Sequence, residues 1–107
     1  MERYGQVVKI RPDKEAYYRE LHTNPWPGVL KTITECNIRN YSIYIKDGFA
    51  FSYYEYIGND YEADMAKMAQ DPVTQEWWGE CIPCLKPIDS SPEDACWTDM
   101  EQVFYYN

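Results

Sequence analysis

Two β-prone runs meet at a two-residue turn in Asn40-Tyr-Ser-Ile-Tyr-Ile-Lys46, Asp47-Gly48 and Phe49-Ala-Phe-Ser-Tyr-Tyr-Glu-Tyr56. An Asp-Gly pair between β-branched and aromatic runs is the strongest short-range indication of a β-hairpin. Side chains alternate between the two faces of a strand, so the register follows by counting outward from the turn. One face of the predicted hairpin carries three pairs: Ile45 with Ala50, Ile43 with Ser52, and Tyr41 with Tyr54.

The segments on either side of this hairpin predict the rest of the fold. Hydrophobic periodicity and turn residues divide them into strands and helices. The predicted elements are a strand at 4–10, helices at 14–24 and 28–36, helices at 61–70 and 72–82, a loop at 86–97 and a closing strand at 101–106. This order is βαββαβ, which is the ferredoxin-like α+β arrangement. We therefore expect a single domain over 1–107, with an antiparallel four-stranded sheet and its helices on one face.

Proline and aspartate residues mark the helix boundaries. Pro25 and Pro27 interrupt the first helical region, because proline lacks an amide donor and disfavours helix in the residue before it. Asp71-Pro72 has the residue types of a helix N-cap followed by the first helical position. The sequence thus predicts two pairs of short helices on the same side of the sheet.

Charge and hydropathy exclude several classes of function. The chain of 107 residues has a formal net charge of −8, which disfavours a nucleic-acid partner because phosphate is repelled. No apolar run approaches the roughly 20 residues of a membrane span, and no signal-peptide pattern follows Met1-Glu2-Arg3-Tyr4. We expect a cytoplasmic protein with no membrane partner.

Aromatic residues make up 17% of the chain, including eleven tyrosines and four tryptophans. Rings with a polar tip suit surfaces that are apolar and hydrogen-bonding at once. Sugars and subunit interfaces both present such surfaces. One sheet face remains to be covered, so we expect a homodimer, while the aromatic content is equally consistent with a sugar site.

The only histidine, His22, lies four residues after Tyr18. Residues four apart share a face of a helix. Asn24-Pro25 then bends the chain, and Trp26 follows immediately. A phenol, an imidazole and an indole at a helix end would form a small polar-aromatic site, and the alternative is ordinary packing of a lone histidine among aromatic residues.

Four cysteines occur, and Cys81-Ile-Pro-Cys84 has the spacing of a redox pair or of half a zinc site. A thioredoxin-like pair opens a helix, whereas this pair closes a helical segment. Cys36 and Cys96 stand alone, so no second close pair completes a zinc site. We expect reduced, structural thiols and no metal.

The whole chain resembles the L-rhamnose mutarotase family. The matching patterns occur in the family's order and at its distances: Arg11-Pro12-Asp13, Tyr18, His22, Trp26-Pro27, Asn40-Tyr41-Ser42-Ile43-Tyr44, Asp71-Pro72, Gln75, Trp77-Trp78 and Val103-Phe104. The resemblance implies a dimeric α+β barrel of ferredoxin-like subunits. It also implies interconversion of the α and β anomers of a 6-deoxy-hexose without a cofactor.

The resemblance also implies roles for individual residues. His22 matches the family's catalytic histidine, and its neighbour Tyr18 is a second candidate proton carrier. Tyr18, Tyr41, Trp77 and Trp78 match residues of the sugar pocket, with Trp26 nearby and Trp78 the tryptophan expected to pack on the sugar. L-Rhamnose is the first expected substrate and L-fucose the second.

Two positions depart from the family's pattern. Gly28 stands where family members usually have an acidic residue, and Gln102 stands where they have the glutamate of Glu-Val-Phe, with Glu101 one place earlier. A one-residue step along a strand reverses the side chain's direction. The carboxylate that supports His22 is therefore left open, as are the roles of the four cysteines.

Three alternatives come from other functional classes. One is a cofactor-independent monooxygenase or isomerase on the same dimeric fold. Another is a non-catalytic dimer that binds a sugar or metabolite, and the third is a dimeric scaffold whose aromatic residues are all interface.

Overall fold

The structure is a computed structural model that describes residues 1–89 and 96–107. Its strands are β1 Glu2–Ile10, β2 Ile38–Lys46, β3 Phe49–Tyr56, β4 Leu85–Lys86 and β5 Thr98–Met100. Its helices are α1 Glu15–Thr23, α2 Pro27–Glu35, α3 Tyr61–Gln70 and α4 Pro72–Cys81. Short 3-10 turns at Pro12–Lys14 and Ile82–Cys84 precede α1 and follow α4.

The strands form one antiparallel sheet in the order β2-β3-β1-β4, and β5 also pairs with β1. The two central strands of a ferredoxin-like sheet are its first and third, as here. The predicted α+β fold with a βαββαβ order is confirmed by this topology, but the predicted four-stranded sheet has a fifth strand, because β4 and β5 both pair with the outer edge of β1.

The hairpin turn has the backbone that its sequence predicts. Asp47 and Gly48 have φ values of +53° and +80°, which a type I′ turn requires at both central positions. The register also agrees with counting from the turn over five successive pairs: Lys46–Phe49, Ile45–Ala50, Tyr44–Phe51, Ile43–Ser52 and Ser42–Tyr53.

A bulge then interrupts β2. Between Arg39 and Ser42, β2 has two residues, Asn40 and Tyr41, opposite the single residue Tyr54 of β3. Asn40 takes the left-handed conformation, with φ +52°, which asparagine tolerates better than most residues. The predicted direct pairing of Tyr41 with Tyr54 is wrong, because bulges insert one unpaired residue and redirect the side chains beside it.

The strands that close the sheet lie earlier in the sequence than predicted. The prediction placed it at 101–106, whereas Thr98–Met100 pairs with Gly5–Val7 and Leu85–Lys86 pairs with Lys9–Ile10. These two short strands occupy the free edge of β1 in succession. The tail at 101–107 has no assigned strand and is exposed. Its apolar residues have the sequence pattern of a strand but form no β-sheet hydrogen bonds. The predicted loop at 86–97 includes 90–95, which lie outside the described residues.

Capping aspartates begin the second helix pair. The Asp60 carboxylate accepts a bond from the Ala63 amide at 3.1 Å, and the Asp71 carboxylate accepts from both the amide and the hydroxyl of Thr74 at 2.9 Å. Pro72 occupies the first turn of α4, as its sequence position predicts. These caps satisfy amide donors that a helix N-terminus leaves free.

Between the sheet and the helices lie two groups of buried side chains. The apolar cluster consists of Val8, Ile10, Tyr18, Val29, Ala50, Trp77, Cys81, Cys84 and Leu85. The tyrosine cluster consists of Ile38, Tyr54 and Tyr56, with Tyr4 and Tyr61 packed against them. In the described part of the chain, no helix combines the length and the apolarity that crossing a membrane requires.

Candidate active site

The joint between α1 and α2 brings the three residues of the predicted polar-aromatic site together. Tyr18 and His22 share a face of α1, and α1 ends at Thr23. Trp26 is the extended residue immediately before α2 and packs against the apolar cluster. The two-proline break therefore returns the indole to the same side as the imidazole.

One nitrogen of the His22 imidazole is bound to the backbone. Its Nδ1 lies 2.7 Å from the Tyr18 carbonyl oxygen. A carbonyl can only accept, so Nδ1 carries the proton, and Nε2 has no hydrogen-bond partner among the described residues. The imidazole ring also packs on the Tyr18 phenol, with centroids 4.4 Å apart and planes tilted by 38°. Both contacts hold the ring in one orientation.

Trp77 of α4 packs against both His22 and Trp26. Its ring is edge-on to His22 at 5.3 Å and 69°, and edge-on to Trp26 at 5.2 Å and 72°. Trp78 is partly buried against the same cluster, and the ring contacts found among the described residues join His22 to Trp77 rather than to Trp78. Adjacent helical residues point about 100° apart, which separates the two indoles.

Tyr41 approaches from the sheet side. It follows the bulge in β2, and its ring centroid lies 5.4 Å from that of Tyr54. Although 44% of the residue is exposed, partial desolvation of the phenol raises the pKa of Tyr41 to about 12. The phenol is therefore neutral near neutral pH.

Tyr18 is only 2% exposed. Burial is the main cause that raises the pKa of its phenol, and the Tyr41 phenol adds to the shift. Among residues 1–89 and 96–107, neither the Tyr18 hydroxyl nor the Tyr41 hydroxyl forms a hydrogen bond. Each phenol is thus a neutral donor and acceptor that is free to bond to a ligand.

Thiols surround the inner side of the Tyr18 ring. Cys81 and Cys84 are buried in the apolar cluster, Cys96 packs against it, and all four cysteines of the chain are free. Burial raises the pKa of the Cys81 thiol to about 12 and also raises the pKa values of Cys84 and Cys96. These thiols are protonated at neutral pH, so they pack rather than react as thiolates. Over the described ranges, no three His, Cys, Asp or Glu side chains are grouped as metal ligands.

The two departures from the family's pattern have different surroundings. A Cβ on Gly28 would lie 3.0 Å from Cγ1 of Val73, so glycine allows α2 to approach α4 closely. Glu101 is exposed beyond the end of β5 and lies in a groove with Arg3 and Tyr53. Arg3 of β1 and Tyr53 of β3 have strand positions that direct their side chains away from the helices. The groove therefore opens on the opposite face of the sheet from His22.

Sequence reasoning did not single out a polar group on the helix-facing side of the sheet. Gln6 is paired with Ser52 of β3 and with Asp99 of β5, and its side-chain amide donates to the Asp99 carboxylate at 2.7 Å. Ser52 is 3% exposed, and its hydroxyl has no partner in the part of the chain that the structure describes. The hairpin register already placed Ser52 on this face, which is the signal that would have identified it.

Comparisons with known proteins agree on one family. The family model described as L-rhamnose mutarotase matches residues 3–106. L-Rhamnose mutarotase of Oceanobacillus iheyensis is 31% identical over 106 residues, with 98% of each chain covered. L-Rhamnose mutarotase of Bacillus subtilis is 30% identical over 108 residues, again with 98% of each covered.

Solved structures support the same fold. The crystal structure of an L-rhamnose mutarotase from Formosa agariphila superimposes over all of both chains with a TM-score of 0.76 at 20% identity. Tetracenomycin F2 cyclase from Streptomyces glaucescens, a type-II polyketide cyclase, also covers both chains fully, with a TM-score of 0.65 at 13% identity. At these identities the structural likeness establishes the fold alone. By the family model and its curated relatives, this chain belongs to the L-rhamnose mutarotase family.

Proposed function

We propose that this protein is an isomerase that interconverts the α and β anomers of a 6-deoxy-hexopyranose, with L-rhamnose the first substrate and L-fucose the second. The observation that carries the proposal is the oriented His22 imidazole, which packs against Tyr18 and Trp77 and whose Nε2 bonds to no described residue. Membership of the L-rhamnose mutarotase family supports the substrate class.

Ring opening needs two proton transfers. The anomeric hydroxyl loses its proton as the bond between C1 and the ring oxygen breaks, and the ring oxygen gains a proton. The aldehyde then rotates, and the new hydroxyl adds to its other face with the reverse proton transfers. Imidazole suits this chemistry because it accepts and releases protons near neutral pH.

In the proposal, His22 serves the ring oxygen and Tyr18 assists. The Tyr18 phenol lies directly beside the imidazole, and its raised pKa keeps it neutral. A neutral phenol accepts one proton while giving up another, so it suits a relay better than it suits a free base. Mutarotation is redox-neutral and transfers no group to another molecule, so the proposal includes no cofactor.

The remaining site residues bind the sugar. Tyr41 orients a sugar hydroxyl, while Trp77 and Trp26 present indole faces and edges to the apolar C–H surface. Trp78 follows Trp77 on α4 and contacts the sugar from a neighbouring side of the site. The proposed site is therefore made of α1, α4 and the bulged end of β2.

The assembly and setting form part of the same proposal. We infer one domain over 1–107 and a homodimer that covers the sheet face opposite the helices. That face carries Phe49 and Phe51, whose rings lie 6.2 Å apart, and Tyr44, which is exposed. Sedimentation equilibrium measures the dimer directly.

Four free thiols fit a reducing cytoplasm, and the net charge of −8 fits a small-molecule substrate better than a nucleic acid.

Saturation-transfer NMR on the anomeric protons of L-rhamnose tests the proposal. The wild type should accelerate exchange between the anomers, and His22→Ala should lower the enzymatic rate by about 10²–10⁴-fold, which is the usual contribution of one proton carrier. Thr23→Ala is the matched control, since Thr23 is the next residue of α1 and is exposed. A His22→Ala variant with the wild-type rate would contradict the assignment.

Sugar binding, oxygen uptake and thermal unfolding, measured beside the NMR exchange rate, separate the other functional classes. A non-catalytic sugar-binding dimer would bind L-rhamnose while the anomers relaxed at the buffer rate. A cofactor-independent monooxygenase would consume oxygen with an aromatic quinol and leave the sugar unchanged. A scaffold would show no stabilisation by sugar on thermal unfolding.

A further inference from the structure

The strongest unexplained feature of the layer between sheet and helices is the hydroxyl of Ser52. The residue is 3% exposed, and its Oγ is the buried side-chain oxygen without a hydrogen-bond partner among residues 1–89 and 96–107. Leaving a buried hydroxyl unpaired destabilises the folded state. Native proteins pair nearly all such groups with protein or with ordered solvent, so a partner from outside the chain is expected.

The position of Ser52 gives the direction of its side chain. It lies between Ala50 and Tyr54 on the inward-facing set of β3, and Ile43 is its partner on β2. Ala50 belongs to the apolar cluster that contains Tyr18 and Trp77, and Ile43 packs against that cluster. The Ser52 hydroxyl therefore points into the same layer as the proposed sugar site, from the opposite wall to His22.

Polar groups continue from Ser52 to the sheet edge. Gln6 is its partner on β1, and the Gln6 amide holds the carboxylate of Asp99, which is exposed. On the other side, Tyr41 follows the bulge and remains partly open to solvent. A row of hydrogen-bonding groups thus runs along the sheet, whereas the helix wall is formed by aromatic rings.

We propose that Ser52 is a specificity-determining residue, whose hydroxyl bonds to a sugar hydroxyl other than the anomeric one. This inference rests on the proposed function and assigns the sheet side of that site. A buried hydroxyl distinguishes substrates by the polar group that it pairs with, because an analogue without that group leaves the protein hydroxyl unsatisfied. An alanine at this position would bind only through apolar contact.

Ser52→Ala tests the proposal with two readouts. The Michaelis constant for L-rhamnose should rise about tenfold, which corresponds to the loss of one hydrogen bond, while kcat stays within about threefold because the proton carriers are untouched. The unfolding midpoint should equal or exceed that of the wild type, since the lost hydroxyl has no partner in the free protein. Ser42→Ala is the matched control, because Ser42 lies on the same hairpin with its side chain on the opposite face.

Sugar binding, measured by NMR titration with L-rhamnose, separates this inference from the proposed function. If the wild type binds L-rhamnose without accelerating anomer exchange, the mutarotase proposal fails, and a tenfold weaker Kd for Ser52→Ala still supports the role of Ser52. An unchanged Kd and Michaelis constant in a folded Ser52→Ala variant would overturn the inference and assign the hydroxyl's partner to water. An equal loss in Ser42→Ala would also overturn it.

Discussion

Two groups of tyrosines in the layer between sheet and helices use their hydroxyls in opposite ways. In the tyrosine cluster, the hydroxyls of Tyr54 and Tyr61 lie 2.6 Å apart, and the Tyr56 hydroxyl donates to the Asp64 carboxylate at 2.5 Å. By contrast, the hydroxyls of Tyr18 and Tyr41 bond to no described residue. The first group completes its bonds within the fold, and the second leaves them for a ligand.

This difference separates stabilising phenols from phenols of the site. Both kinds are desolvated, and burial raises the pKa values of Tyr18 and Tyr54 alike. Burial and a shifted pKa therefore do not distinguish them. The hydrogen-bond partner does, because a buried hydroxyl without one adds no stability to the folded chain and is available to substrate.

The largest expected effect is on the rate of the Tyr18→Phe variant. Anomer exchange should fall by about 10²–10⁴-fold if the phenol relays a proton, while the urea midpoint should stay at the wild-type value. Tyr54→Phe is the control, which should lose stability and keep most of its rate. A Tyr18→Phe variant that lost stability instead of rate would remove the distinction between the two groups.

A smaller effect is expected in the tyrosine cluster. Tyr54→Phe and Tyr61→Phe should each lower the free energy of unfolding by about 0.5–1.5 kcal/mol, the net value of one hydrogen bond. Because the two hydroxyls bond to each other, the double variant should cost less than the sum of the single ones. Urea unfolding of the wild type, the two single variants and the double variant measures this coupling. Tyr106→Phe, at a residue that is 86% exposed, should not shift the midpoint, and strict additivity would show that the pair is not coupled.

The smallest effect is a change in acid sensitivity. Bonds from the Tyr56 hydroxyl and the Asn37 amide lower the pKa of Asp64 below its ordinary value. The unfolded chain then takes up this proton at a higher pH than the folded chain. The resulting stability is fully present above about pH 4 and is lost as pH falls through the folded pKa.

Asp64→Asn removes this titration. Its unfolding midpoint in urea should fall less steeply between about pH 4 and pH 2 than that of the wild type. Some acid sensitivity should remain, because hydrogen bonds also lower the pKa values of Glu55, Asp71 and Asp89. Identical slopes for both proteins would show that the Asp64 bonds do not contribute.

Local rules predicted the elements whose causes are local. The Asp47-Gly48 turn determined the hairpin register because side-chain alternation leaves no freedom once the turn is placed. The four-residue spacing placed Tyr18 and His22 on one helical face, and the proline break placed Trp26 beside them. Family resemblance supplied Tyr41 and the tryptophans, which lie far along the chain from His22.

Other features depended on contacts that no local rule describes. The apolar tail at 101–107 resembles a strand, yet β4 and β5 occupy the edge of β1, and Val103 and Phe104 remain 89% and 80% exposed. Which of the two adjacent indoles, Trp77 or Trp78, contacts His22 depended on how α4 is rotated in the packed layer. Helix rotation is set by packing over a whole interface, so adjacent residues cannot be ranked from sequence.

The sequence by itself determined the hairpin, the order of elements, the Tyr18–His22 pair and the family. Each follows from short-range geometry or from patterns repeated along the whole chain. Tertiary structure decided which hydroxyls are partnered, where the bulge places Tyr41, and that Ser52 is buried without a partner. These depend on which atoms from distant segments meet, and hydrogen-bond partners are chosen only when the packed layer forms.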